Sequence, residues 1–299
     1  MAEQLLPAYN GRLDLRQAYT YTRDQINEFL LNVVSRPAYY AVPGNNTPDL
    51  ISVYLEISQL RQSNGAHFLD PNLQPRQHVL RAMHPDWPPQ GIPPRISKFV
   101  LMKSEHGEVA YWSLPDLLGF FLSQMGPAPL GATKRNFYLP LTAVFGQWCN
   151  KLCETRSPRV FQCTWRAVPD ERQDFFLGAT MGGHRAAPES TGRWIDVLNR
   201  ARYNIIRSPM LELAGWSQAR SLTTKPFGRC AETYPVRMIL RFYSNPELVK
   251  GLALNCDYLP LPGYDDRQIW QSLWQPCANC KVLISVEGGN VANFAPMLD

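Results

Sequence analysis

The stretch "WQPCANCKVLI" at residues 274–284 places Cys277 and Cys280 three positions apart, directly after Pro276. Such a pair can be a redox couple, half of a structural zinc site, or two ligands of a catalytic metal. The choice turns on a partner elsewhere, and the candidate is Cys230 in "FGRCAETYPVRMILRFY", residues 227–243, with Glu232 two residues beyond it. A closed structural zinc site usually takes four protein ligands, whereas a hydrolytic site takes three and leaves a position for water. Three thiolates with a carboxylate beside them suit the second arrangement, the carboxylate taking a proton from that water. A redox motif would place its cysteine pair early in a βαβ pattern and would leave Glu232 without a role.

Local elements must carry these side chains to one point. Val236, Ile239, Leu240 and Tyr243 have helical spacing and predict a helix starting at Cys230. Pro235 is tolerable there, because the first turn has no use for that N–H. Pro276, Cys277 and Cys280 open a second predicted helix, and residues at i and i+3 share a face, so both sulfurs can reach one ion. Helix N-termini favour negative charge and so help thiolates form. Between the two motifs, "KGLALNCDYL" reads as a strand.

The rest of the chain supplies the frame. "TRDQINEFLLNVVSR" predicts a helix through Ile26, Phe29, Leu30 and Val33, and "NTPDLISVYLEISQL" predicts another with Thr47 as N-cap and Pro48 at its first position. "MHPDWPPQGIPP" is a loop, and "RISKFVLMKSEHGEVAYWSL" a β-hairpin. Helices are expected at Leu114–Gln124 and Tyr138–Glu154, a strand at "PRVFQCTWRAV", a loop at "TMGGHRAAPES", and a helix at "TGRWIDVLNRARYNII". "MLELAGW" reads as a short strand. Cys149, Cys153, Cys163 and Cys256 are expected to be core packing. His184 stands out among five histidines by its glycine-flanked loop, and "GGN" at 288–290 lacks the surroundings of a phosphate loop.

Composition narrows the class. The chain has 299 residues, 45% hydrophobic and 11% aromatic, which is the profile of a folded globular protein. No apolar run reaches the length of a membrane span, and the first residues lack the pattern of a secretory signal. Cytosol or nucleus is the expected compartment, where paired cysteines hold metal more often than they form disulfides. Net charge is +5. Between Ser190 and Arg241, nine basic residues (Arg193, Arg200, Arg202, Arg207, Arg220, Lys225, Arg229, Arg237, Arg241) face three acids, a net +6 that would favour a phosphate-bearing partner.

"CAE" followed by "PCANC" resembles the zinc-dependent nucleobase deaminases of the cytidine deaminase-like superfamily, in their all-cysteine version. The wider context "CAETYP…PCANC" is similar to poorly characterised deaminase-like proteins of fungi. The resemblance covers the two motifs and, loosely, residues 190–299. It implies an α/β fold of α/β/α layers, with a mixed sheet flanked by helices. The expected division is a mostly helical N-terminal region, 1–130, with a hairpin near 96–114, and a zinc domain, 131–299, with its motif core at 190–299.

It further implies Zn²⁺ held by Cys230, Cys277 and Cys280, and Glu232 as the catalytic residue passing protons to the base and the departing amine. The substrate would be a nucleobase, cytosine before adenine, in a nucleoside, nucleotide or single-stranded nucleic acid. Phe227, Tyr234 and Trp274 could supply stacking walls, and Arg229 and Lys281 could compensate thiolate charge. The chain departs from the family in an inserted loop, "LPLPGYDDRQIWQ", and in having 19 residues after Cys280. The strand before the first motif, "ARSLTTKPFGRC", lacks the Asn and Glu that grip ribose, which points away from free cytidine. The alternative is a non-catalytic protein of the same fold, stabilised by zinc and binding a partner or nucleic acid.

Overall fold

The computed structural model describes residues 4–62, 98–100, 108–110, 114–153, 157–168, 173–181, 194–218, 220–241, 243–259 and 262–296. Two capped helices open the chain. α1 (Leu15–Thr20) begins where the Asp14 carboxylate accepts from the Gln17 N–H, and α2 (Arg23–Ser35) carries a Thr22/Gln25 capping box. α3 spans Thr47–Gln62. Thr47 itself is helical (φ −58°, ψ −44°), not the expected extended cap, because a 3₁₀ turn over Gly44–Asn46 runs straight into the helix. The hairpin pairs β1 (Lys98–Val100) with β2 (Glu108–Ala110). The proline-rich loop, the "TMGGHRAAPES" loop beyond Met181 and all five histidines lie outside the described residues.

α4 (Leu114–Gln124) and α5 (Leu139–Cys153, entered through a π turn at Lys134–Tyr138) follow as expected, and then β3 (Val160–Arg166). β4 (Phe175–Ala179) is a five-residue apolar run that periodicity did not single out, since a strand buried on both faces shows no alternation. Then come α6 (Trp194–Ile206) and α7 (Pro209–Leu213). α7 replaces the strand expected at "MLELAGW": Ser208 caps the Leu211 N–H and Pro209 takes the first helical position, a helix-start pair that outweighs the apolar run.

α8 comprises Thr233–Pro235 and a continuing π turn, Val236–Leu240. β5 is Val249–Asn255, α9 is Asp266–Gln271, β6 is Leu273–Trp274 and α10 is Ala278–Val286. α9 occupies the expected inserted loop, where Asp265 accepts from the Gln268 N–H and so starts a helical turn. After α10 the described chain forms only a 3₁₀ turn at Val291–Phe294.

The sheet runs β4-β3-β5-β6, and every pairing is antiparallel, so the described strands do not form the mixed sheet expected. Its two faces differ in bulk. Phe161, Cys163 and Trp165 on β3 pair with Ala179, Leu177 and Phe175 on β4, and this large apolar face packs against α4 and α5. Tyr138 stacks on Trp165 at 4.1 Å, and Phe145 meets Phe161 edge-on. The opposite face carries Gln162, Thr164, Phe176, Gly178 and Gly251; the two glycines let the Ala231 backbone and the Phe294 ring lie directly on the sheet. One buried core extends from Ala8 to Phe294, across the boundary expected near residue 130. Cys149, Cys153 and Cys163 belong to it, and Cys256 packs against it half-buried.

Gly178 decides how closely the first motif approaches. A Cβ there would lie 2.2 Å from the Ala231 carbonyl oxygen and 2.6 Å from Pro235 Cδ. Gly178→Ala must therefore push the Cys230–Glu232 turn off the sheet. A loss of about 1–3 kcal/mol is expected from overpacking, read by urea denaturation, together with weaker metal binding. Unchanged values of both would show that the turn can shift freely.

Candidate metal centre

Gly228 makes the turn that presents the first motif. Its φ of +92° is natural only to glycine, and a Cβ would come within 2.6 Å of the Arg202 backbone on α6. The chain leaves this turn as Arg229, Cys230, Ala231 and Glu232, and α8 then begins at Thr233. The helix therefore starts three residues later than its apolar spacing implied, leaving Cys230 and Glu232 in the lead-in. Thr233 holds the turn shut, its Oγ1 donating to the carbonyls of Gly228 and Cys230, both at 2.8 Å. On the other side, Cys277 is the N-cap of α10 and Cys280 lies one turn in, as the spacing predicted.

The three sulfurs converge. Cys230 Sγ is 3.5 Å from Cys277 Sγ, Cys277 Sγ is 3.3 Å from Cys280 Sγ, and all three lie within 4.8 Å of one another. Tetrahedral thiolates around an ion at Zn–S distances sit about 3.8 Å apart, so an opening of a few tenths of an ångström admits the metal. Three such soft ligands could hold a metal ion, and none is tied up in a disulfide. Cys277 is held far below the usual thiol range, first by hydrogen bonding with the Cys230 and Cys280 sulfurs and further by the N–H groups opening α10. The other two are pushed up, Cys230 chiefly through its bond with Cys277 and Cys280 chiefly through its bond with Cys230. One thiolate shared among three sulfurs is what a cation-free cluster can sustain; a cation would release the remaining protons.

Glu232 is 4% exposed, and its carboxyl reaches Cys280. It stands outside the mutual set of three sulfurs. Burial pushes its pKa up to about 7, the negative charge of Cys277 adds to this, and the Cys280 hydrogen bond opposes it. The folded form thus holds this proton more tightly than the unfolded chain does. The stability from a neutral Glu232 is fully present below the ordinary value of 4.5 and is lost as pH rises through about 7. Glu232→Gln removes this titration. The metal-free protein should accordingly lose stability against that variant between about pH 4.5 and 7, as followed by urea unfolding at several pH values. A constant difference would mean the carboxyl is not desolvated.

Two buried residues that the sequence did not single out for the centre hold the motifs. Arg202, wholly buried, donates Nη1 to both Asp116 oxygens at 3.0 and 2.8 Å. Its Nε donates to the Gly228 carbonyl at 2.6 Å, and Nη2 to those of Ala179 and Cys230 at 3.1 and 3.2 Å. This one guanidinium joins α4, β4, α6 and the first motif. Asn279, between the two cysteines of the second motif, is 1% exposed. Its Oδ1 accepts from the Leu222 N–H at 2.9 Å, and its Nδ2 donates to Ser221 Oγ, Thr223 Oγ1 and the Lys225 carbonyl. The second motif thereby clamps the loop that leads into the first.

The remaining expected site residues lie as follows. Phe227 is buried against Trp216, and Tyr234 is buried beneath the Arg202 guanidinium. Trp274 is 46% exposed on β6 and stacks on Tyr258. Lys281 is exposed in the first turn of α10, and Arg229 is half-buried beside Cys230. The basic stretch is partly committed inside the fold. Besides Arg202, Arg241 pairs with Glu287 at 2.7 Å in the interior, while Arg207 pairs with Glu212 at 2.6 Å on the surface. Nothing in the spacing marks Arg202 as different from its exposed neighbours, because burial is a property of the packed molecule.

Fold and centre define an α/β protein with a three-cysteine cluster that could hold a metal ion beside a buried carboxyl. No protein-family model matches the chain, and no characterised protein or solved structure does either. Among the described residues, no helix is long and apolar enough to cross a membrane.

Proposed function

We propose that the chain is a zinc-dependent deaminase that hydrolyses the exocyclic amine of a nucleobase, cytosine before adenine. The observation that carries this reading is the Glu232 carboxyl, buried two residues from the ligand Cys230 and acted on electrostatically by the Cys277 and Cys280 sulfurs. Burying a carboxyl is costly, and a metal serving only to join two segments gains nothing from it. The order of elements supports the reading too. The first motif, a strand lying beside β3, and the second motif follow one another as the resemblance implies, although the family's mixed sheet is not matched.

Cys230, Cys277 and Cys280 would hold the ion, which when bound supplies Lewis acidity and lowers the pKa of a water. Glu232 takes a proton from the attacking water, holds it at a carboxyl oxygen, and delivers protons to the ring nitrogen and the departing amine. Oxygen adds to the ring carbon as the ring nitrogen takes a proton, and the bond to the amine then breaks as the amine is protonated, giving a carbonyl and ammonia. The Arg202 and Asn279 bonds fix both ligand segments before substrate arrives.

The alternative, a non-catalytic module in which zinc joins the two motifs, is favoured by Cys230 and Cys277 sitting on segments that no strand pairing links. One experiment separates the two. Purified protein is expected to carry one zinc per chain and to release ammonia from a cytosine- or adenine-bearing nucleoside, nucleotide or single strand. Zinc without ammonia from any of them leaves the module, and a metal-free protein that refuses added zinc ends both readings.

A further inference from the structure

Among the described residues, Arg229 is the half-buried arginine of its stretch with nothing to bind. Arg202, Arg237 and Arg241 are buried or half-buried, and each has a partner. The Arg229 guanidinium is half-buried, yet it makes no hydrogen bond, ion pair or ring contact with any described residue. Its electrostatic neighbours are the like charge of Arg202 and the ligand Cys230. Five N–H donors partly removed from water without an acceptor are costly to keep.

The backbone beneath it is rigid. Arg202 holds the carbonyls of Gly228 and Cys230 on either side, and the Arg229 carbonyl accepts from the Met181 N–H at 3.1 Å. The loop just upstream is equally fixed: Ser221 Oγ and Thr223 Oγ1 bond within it, and Asn279 clamps it to the second motif. Exposed Lys225 on that loop and exposed Lys281 on α10 rise from the two segments that Asn279 joins. Three cations are therefore carried by the segments that Asn279 and the sulfur cluster bring together, and among the described residues the acid that acts on the cluster, Glu232, is buried.

We propose that Arg229, with Lys225 and Lys281, is an anion subsite that binds a phosphate of the substrate. The site then takes a nucleotide or a phosphodiester strand in preference to a free nucleoside. The identity of the base rests on the deaminase reading; the phosphate subsite does not. A planar guanidinium on a fixed turn can meet two phosphate oxygens at once, and the lysines add charge at the rim.

The test is direct binding to the zinc-loaded full chain, titrated with inorganic phosphate, cytidine, cytidine 5′-monophosphate and a short oligodeoxycytidine. Hydrogen bonds to a charged group correspond to about ten- to a hundredfold in affinity. The monophosphate should bind tighter than cytidine by such a factor, and the gap should close in Arg229→Gln with zinc content unchanged. Lys225→Gln, a surface change, should narrow it severalfold even where Arg229→Gln fails to fold.

A monophosphate no tighter than cytidine, or a gap unaffected in both variants, overturns the proposal. So does an Arg229→Gln protein that loses zinc while keeping phosphate affinity, since Arg229 would then only balance the thiolates. Inorganic phosphate and the monophosphate binding wild type equally and Arg229→Gln not at all, with cytidine unbound, would retain the subsite and sink the deaminase reading. Comparing the monophosphate with the oligonucleotide tells which source of phosphate the site takes.

Discussion

Glu232→Ala in the zinc-loaded protein is expected to lower turnover by about 10²–10⁴-fold, the usual range for losing a general acid and base. Zinc should stay bound, because the three ligating sulfurs lie on other residues. Without a bound ion, burial raises this carboxyl to about 7, so it can both accept and return a proton near neutrality. Glu232→Gln keeps the shape but cannot carry the proton, so it should be as inactive as alanine. In metal-free form it should also be no less stable than wild type above pH 7, where the wild-type protein bears the cost of a buried charge. Activity and stability would then move in opposite directions, which a merely structural Glu232 could not produce. Wild-type turnover in either variant would remove Glu232 from the mechanism.

Arg202→Met should be the most destabilising single change near the site. It removes the guanidinium that balances the Asp116 carboxylate, whose side chain is 1% exposed, and leaves the Gly228, Ala179 and Cys230 carbonyls without that donor. Breaking a buried ion pair from one side costs about 3–5 kcal/mol. Arg202→Met combined with Asp116→Leu should recover part of that loss, because no unbalanced charge remains. Residues that orient metal ligands typically affect metal affinity by about 10–100-fold. Zinc affinity should fall accordingly in the single variant, and in the double variant as well, since the carbonyl contacts stay lost. Denaturation curves and zinc competition read the two effects separately. A double variant no more stable than the single one would show that the three carbonyl contacts, not the unbalanced charge, account for the loss.

How far the site could be read in advance depended on distance along the chain. The i, i+3 pair Cys277 and Cys280 and its helix were legible, because local spacing fixes which side chains share a face. Cys230 and Glu232 were legible only as candidates. Their helix begins later than the apolar pattern implied, because the tertiary contacts of Gly228 and Gly178 set the turn before it. Strand β3 showed as a β-rich run, while β4 did not alternate and went unseen. The basic stretch was visible as charge, but which arginines face water was not.

Sequence alone determined the residue types of the centre, the order of its two motifs and most of the helices, since caps, periodicity and i, i+3 geometry act over a few residues. Only the folded molecule decided that sulfurs 47 positions apart sit 3.5 Å from each other. It alone decided that Arg202 serves the interior and that Arg229 is left with an unanswered charge. Those outcomes depend on which surfaces the antiparallel sheet brings together, and long-range burial leaves no periodic mark on a chain.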